Sequence, residues 1–168
     1  DGLILGICNG FQALVKLGLL PYGHITSPTS SSPTLTFNLI GRHQSGLVHT
    51  RVASNKSPWL CKEPIGTIHT VAISHGEGRF VADDQTLQTL SQNGQIATQY
   101  VDFEGKATLQ LPHNPNGSAF GIESICSPDG RVLGKMGHSE RSGEHLYINV
   151  SGNKYQRLFE GGVAYFDL

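Results

Sequence analysis

Residues 3–20 read LILGICNGFQALVKLGLL, an apolar run that becomes a helical pattern across a cysteine set between two glycines. Leu3, Ile4, Leu5 and Ile7 form a short continuous apolar stretch, as expected of a strand buried on both faces of a parallel sheet. After Gly10 the period changes. Phe11, Leu14, Val15 and Leu17 recur at three- and four-residue steps, which predicts one apolar face of a helix ending near Gly18 to Pro21. Cys8 therefore falls at the strand-to-helix corner, where a helix N-terminus offers unpaired N–H groups and a partial positive charge. Such a position favours thiolate over thiol, so the pattern predicts an exposed, acidified sulfur. Gly6-Ile7-Cys8-Asn9-Gly10 is a G-x-C-x-G form of the nucleophile elbow, with glycines where a Cβ on either side would crowd the turn. The N–H of Asn9 is then a natural oxyanion donor. The competing reading is a small buried sulfur, as free cysteines often are.

Composition bounds the rest. At 168 residues the sequence suits a single domain spanning 1–168, with 38% hydrophobic and 15% charged residues and a net charge of -1. That balance gives no global pull toward nucleic acid or anionic membrane, so neither is an expected partner. No apolar run approaches the roughly 20 residues that span a bilayer. The three cysteines, Cys8, Cys61 and Cys126, lack C-x-x-C spacing. They suggest neither a disulfide framework nor a thiolate metal site, and they fit a reducing cytoplasm.

Along the chain, strands are predicted around 34–40, 47–53 and 67–74, the last running into the loop HGEGRF. Pro58 to Leu60 reads as a short turn. Asp84 is placed to cap a helix with Leu87 and Leu90 inward, closed by Asn93-Gly94. QIATQYV and KATLQLP read as a hairpin-like pair of strands, AFGIESICS and VLGKM as two more. The tail NKYQRLFEGGVAYFDL reads as a helix with Tyr155, Leu158, Phe159 and Val163 inward. Mixed helices, buried strands and antiparallel pairs predict an α/β fold with a mixed sheet. A central-looking strand two residues from the start of the sequence further suggests a chain cut from a longer one, with βα units missing upstream.

A cysteine nucleophile needs an imidazole to take its proton, and the imidazole needs a third group to fix its tautomer. Of eight histidines, His138 has Glu140 two residues on, directly after the strand reading 132–136. In extended backbone such residues share a face about 6.5 to 7 Å apart, within reach of a glutamate side chain. His138 is therefore the candidate base and Glu140 its orienting acid. His75 could line a site or cap a loop, His69 reads as a half-buried strand residue, and His43, His113 and His145 fall in predicted loops. No H-E-x-x-H or Walker-type pattern is present, so no metal site and no nucleotide triphosphate site of its own is expected.

Cys8 in GICNGFQ together with His138 and Glu140 in GHSER resembles the class I, triad-type glutamine amidotransferases. Within them, AISHGEGRF at 72–80, QYVD at 99–102, PHNPNGS at 112–118, SPDGRVLGKMGHSER at 127–141 and the tail from Gly143 are similar to the carboxy-terminal glutaminase domain of phosphoribosylformylglycinamidine synthases, enzymes of purine biosynthesis. The resemblance implies a flavodoxin-like three-layer fold with a mixed, mainly parallel sheet. It also implies a glutaminase in which Cys8 attacks the side-chain amide of L-glutamine, His138 shuttles protons and Glu140 holds His138. Gln12 matches the position that contacts bound glutamine, and Ser45, in RHQSG, lies where relatives hold the amino acid's polar end. Ammonia would pass to a synthetase domain or subunit that uses ATP and Mg²⁺, neither of which this sequence would bind. The family usually reads M-P-H-P-E-R where this chain reads MGHSER, so prolines flanking the histidine become Gly137 and Ser139. Its second oxyanion donor precedes the nucleophile strand, so residues 1–168 alone are expected to show little or no activity. Two alternatives are a non-catalytic amidotransferase-fold interaction domain and a G-x-C-x-G α/β-hydrolase of the dienelactone type. The hydrolase would place its acid between nucleophile and histidine rather than after the histidine.

Overall fold

A computed structural model describes residues 2–166. Its strands are β1 (Ile4–Ile7), β2 (Thr34–Thr36), β3 (Gln44–Val52), β4 (Ile68–His75), β5 (Arg79–Val81), β6 (Ile96–Tyr100), β7 (Ile122–Cys126) and β8 (Val132–Lys135). Its helices are α1 (Asn9–Lys16), α2 (Leu19–Tyr22), α3 (Asp84–Gln92) and α4 (Leu158–Ala164), with 3₁₀ turns at Pro58–Leu60 and Ala119–Gly121. Six strands form one sheet in the order β1-β8-β7-β6-β3-β4, while β2 and β5 pair separately.

The strand that carries the nucleophile motif pairs in parallel with β8, Ile7 opposite Lys135. The pairings β3/β4, β3/β6, β6/β7 and β7/β8 are antiparallel. The sheet is thus mixed, but among the described residues antiparallel pairs outnumber the parallel one, correcting the mainly parallel expectation. The physical reason is the connections: antiparallel neighbours need no crossover helix, and β7 turns directly into β8 through Ser127 to Arg131.

Alternation along the central strands sorts side chains onto two faces. Ile96, Ile125 and Val132 join Phe11, Leu14 and Val15 of α1 and Leu87 and Leu90 of α3 in one apolar cluster. Their neighbours Ala97, Cys126 and Leu133 join Leu60 and Leu158 in another, with Trp59 packed against it. Helices therefore cover both faces, a three-layer α/β arrangement. Gly134 lets α1 lie close: a Cβ there would come within 2.5 Å of Leu20 Cδ1 and would also strike the Phe11 ring.

Three predictions change. The cap of α3 is Asp83, not Asp84; Asp83 is extended (φ -70°, ψ 163°) and its carboxylate accepts the Thr86 N–H at 2.7 Å. Asp102 does turn the chain, accepting the N–H groups of Glu104 and Lys106 at 2.9 Å each. The KATLQLP arm, however, makes only the isolated bridge Val101–Ala107 before Leu109 and Leu111 face solvent. The tail helix is shorter than predicted, and of the four residues expected inward only Leu158 is buried; Tyr155, Phe159 and Val163 are exposed. Gly161 and Gly162 form the inner face instead, because α4 approaches the Pro58–Leu60 turn so closely that a Cβ at Gly162 would sit 2.7 Å from Trp59 Cε3. The end of that prediction, Asp167 and Leu168, lies outside the described residues. Among those residues no helix is long and apolar enough to cross a membrane.

Candidate active site

Cys8 sits where β1 becomes α1 with φ 53°, a left-handed backbone that a non-glycine residue rarely adopts. Such a conformation costs on the order of 1–3 kcal/mol and survives only where the surroundings over-determine it. Here they do. The Cys8 N–H donates to Lys135 O at 2.8 Å, prolonging the β1/β8 ladder, and its carbonyl accepts the Gln12 N–H at 3.2 Å to open the helix. Gly6 is required by the same turn, since a Cβ there would lie 2.5 Å from Leu14 Cδ1 and 2.7 Å from the Gly10 carbonyl carbon. Gly10 is not: a Cβ there meets nothing within 4 Å. Crowding thus acts on one side of the cysteine, not both.

The expectation of an exposed, acidified sulfur is corrected. Cys8 is half-buried, and that burial lifts its thiol above the ordinary value; the Asn9 N–H and Arg141 pull down against this, while Glu140 adds to it. Desolvation of a thiolate outweighs the helix-end field here. Sγ lies 3.8 Å from the Ser74 carbonyl oxygen at the end of β4.

His138 reaches the same edge of the same strand. Three residues beyond β8, its N–H donates to Ala72 O at 2.7 Å in an isolated antiparallel bridge. Cys8 and His138 therefore dock on β4 two residues apart, brought together because β1 and β8 are adjacent and end at the same level. The His138 Nδ1 is 2.6 Å from Glu140 Oε1. The carboxylate fixes the tautomer with the proton on Nδ1, leaving Nε2 as the free acceptor. That Nε2 is buried and has no hydrogen-bond partner among the described residues. Glu140 is also 3.8 Å from Arg141 Nε.

The remaining predicted residues cluster around this pair. Asn9 presents its backbone N–H to the sulfur. The Gln12 side-chain amide donates to the Glu77 carbonyl, so it spans from α1 to the HGEG loop at the rim. Ser45 is exposed on β3 and stands opposite Ser74 in the β3/β4 register, one strand over from the carbonyl that meets Cys8.

Two histidines, His43 and His69, differ from their reading, while His75 takes a loop-holding place that its reading allowed. His43 is not left to solvent alone, its Nε2 lying 3.1 Å from Ser74 Oγ. His69 is fully buried, its Nε2 3.3 Å from Glu63. His75 is buried, with Nδ1 3.2 Å from Asn38 Oδ1, and desolvation lowers it to about 4, helped by His43. Ser74 itself was missed; its position at the C-terminal end of a strand, next to His75, was the available signal.

Two asparagines hold the surrounding loops. Asn38 Oδ1 accepts the Gly78 N–H at 3.1 Å and its Nδ2 donates to His75 O at 2.8 Å. Asn116 donates to Gly78 O at 2.7 Å and to the Tyr100 hydroxyl at 3.1 Å. SHGEG and NPNGS are thus joined by buried amides, which explains why loops so polar stay ordered.

A three-layer α/β sheet with a cysteine elbow at one strand end and a carboxylate-bound histidine at the next defines an amidotransferase-like architecture. The chain belongs to the CobB/CobQ-like glutamine amidotransferase domain family, whose pattern matches residues 1–166. It is 42% identical over 160 residues to the phosphoribosylformylglycinamidine synthase subunit PurQ of Methanococcus maripaludis strain C7, covering 92% of this chain and 54% of that protein. The PurQ subunit of Gloeobacter violaceus is 36% identical over 163 residues, covering 97% of this chain and 63% of the subunit. The phosphoribosylformylglycinamidine synthase of Dictyostelium discoideum is 37% identical over 99% of this chain, which spans 13% of that protein. Among solved structures, PurLQS from Thermotoga maritima superposes with a TM-score of 0.70 at 28% identity, covering 97% of this chain and 61% of the other. The chain spans 54% and 63% of the two PurQ subunits named.

Proposed function

We propose that this chain carries out the glutaminase half-reaction of phosphoribosylformylglycinamidine synthase, the enzyme whose name its relatives bear. The observation that carries the reading is His138, held by Glu140 at 2.6 Å through Nδ1 with its buried Nε2 unpartnered among the described residues, and docked on Ala72 O two residues along β4 from the Ser74 carbonyl that meets Cys8 Sγ. That is the geometry a base needs before a thiol proton arrives.

In the proposed reaction His138 Nε2 takes the Cys8 proton as sulfur bonds to the glutamine amide carbon. The Asn9 N–H receives the developing oxyanion. His138 then returns the proton to the departing nitrogen, releasing ammonia and leaving a glutamyl thioester. Water, deprotonated by the same imidazole, attacks the thioester and regenerates the thiol, so glutamine and water become glutamate and ammonia. Gln12 and Ser45 lie where they can meet the amino acid. Ammonia would be consumed by a synthetase partner, which would hold ATP and Mg²⁺; among the described residues no group of three His, Cys, Asp or Glu side chains is arranged around a metal position.

The test is covalent. A diazoketone analogue of glutamine should add to Cys8, as peptide mass mapping would show, and Cys8→Ser should abolish the adduct. Modification of Cys61 or Cys126 with Cys8 untouched would overturn the assignment.

A further inference from the structure

Beneath the His138 segment lies an ion pair that the proposed chemistry does not use. Lys135, the last residue of β8, and Glu123, on β7, have side chains 1% and 0% exposed, with Nζ 3.3 Å from Oε1. Lys135 Nζ also donates to Gly137 O at 2.9 Å and to Ser139 Oγ at 2.8 Å. Glu123 Oε1 accepts the Gly137 N–H at 2.6 Å, and Oε2 accepts from the Thr98 hydroxyl. Ser139 Oγ in turn donates to Gln156 of the C-terminal segment.

These contacts converge on one short stretch. The peptide unit joining Gly137 to His138 is held at its oxygen by Lys135 and at its N–H by Ala72 O. The next side chain, Ser139, is held by Lys135 as well. Gly137 has no room for a side chain, as a Cβ would lie 2.7 Å from Val71 Cγ1 and 2.8 Å from Glu123 Oε1. Burying both charges costs desolvation that a well-packed apolar pair would avoid, so stability alone is a poor reason for this pair. Apart from the Thr98 hydroxyl on Glu123 Oε2, its directional bonds end on the two residues flanking His138.

We infer that the Lys135–Glu123 pair is the positioning device of the site, a charge clamp that fixes residues 137–139 so that His138 Nε2 faces Cys8. The inference rests on the reading of His138 as the base, and its test separates the two. In the full chain, Lys135→Met combined with Glu123→Gln removes both charges together and leaves an amide oxygen for the Gly137 N–H. Circular dichroism establishes that the variant is folded, and proton NMR follows the low-field His138 Nδ1–H signal expected of its bond to Glu140. A clamp predicts that this signal shifts or broadens. It also predicts that kcat for glutamine hydrolysis falls by about 10²-fold, as a misplacement near 1 Å does, with KM changed less than about two-fold.

A folded double variant with the wild-type His138 signal overturns the clamp. If the double variant does not fold, Ser139→Ala, which cuts a single clamp bond, decides the matter by the same signal: a shifted or broadened resonance supports the clamp and an unchanged one overturns it. Absence of glutamine hydrolysis in the full-length wild-type parent protein, assayed with its synthetase partner, would instead count against the functional reading, and the resonance would still decide the clamp.

Discussion

Replacing Gly6 by alanine and Gly10 by alanine makes a matched pair, the same methyl group added on either side of Cys8. At Gly6 the new carbon would lie 2.5 Å from Leu14 Cδ1, 2.7 Å from the Gly10 carbonyl carbon and 2.8 Å from its oxygen. Leu14 is buried in the core, and the Gly10 carbonyl is helix backbone. Neither yields as the tip of a flexible side chain would. Restoring the 3.4 Å at which ordinary contact begins requires α1 to back away from β1 by about 0.9 Å. Overpacking of this kind costs about 1–3 kcal/mol. For a chain of this size each kcal/mol moves Tm by about 2–4 °C, so Gly6→Ala should melt about 2–12 °C below wild type. At Gly10 the carbon meets nothing and the residue is helical, so alanine should gain about 0.5–1 kcal/mol through lower unfolded-state entropy. Thermal unfolding followed by circular dichroism distinguishes the two directly. A Gly6→Ala chain as stable as wild type, or a Gly10→Ala chain that loses as much, would refute the one-sided account of the elbow.

Two further outcomes follow from buried polar groups. His75 is lowered from 6.5 to about 4 by burial, so the unfolded chain binds its proton first as pH falls; the neutral form's contribution is complete above pH 6.5 and is lost as pH drops toward 4. The full difference is about 3 kcal/mol, to be read from urea unfolding at pH 7.5 and 4.5. His69 is lowered in the same direction, so His75→Gln should flatten part of the slope; an unchanged slope would contradict the assignment. Asn116→Ala strips partners from Gly78 O, the Tyr100 hydroxyl and Ser118. Taking that bond from the buried Tyr100 hydroxyl and leaving Gly78 O only Ser118 Oγ at 3.4 Å should cost about 1–3 kcal/mol by urea titration, and a loss below about 0.5 kcal/mol would show the loop amides to be dispensable.

What the sequence made legible was local. The switch from continuous apolar residues to a 3.6-residue period placed Cys8 at a corner, and the two-residue spacing pointed to the His138–Glu140 pair, although a turn closed by the Arg141 N–H on His138 O at 3.1 Å, not the extended backbone expected, brings them together. Both are short-range consequences of backbone geometry. Less legible was anything decided by the partner across a contact. Glycine is a poor helix former, yet Gly161-Gly162 is the buried face of α4 because Trp59 comes so near. KATLQLP alternates like a strand but, among the described residues, makes only the single bridge Val101–Ala107. Nothing in the sequence set Lys135 apart, and only the folded β7/β8 pair brings its Nζ to 3.3 Å from Glu123 Oε1. Ser139, a departure from the related motif when seen in sequence, is where that clamp is tied to Gln156.

The raised thiol of Cys8 sharpens the proposed chemistry. Helix-end position argues for a resting thiolate, but half-burial argues for the neutral form, and burial is the larger influence. A neutral thiol near an Nε2 that has no hydrogen-bond partner among the described residues keeps charge out of a poorly solvated site until there is something to receive it. The Asn9 N–H that now faces sulfur is the same donor that would face the oxyanion, so proton transfer to His138 and attack on the amide carbon are best made together. In that case the sulfur's reactivity comes from the placement of His138 more than from the acidity of Cys8. A base that must take the proton at the moment of attack tolerates less displacement than one paired with a preformed thiolate. The strained φ of Cys8, the missing Cβ of Gly6 and the bonds around residues 137–139 all act on that one separation.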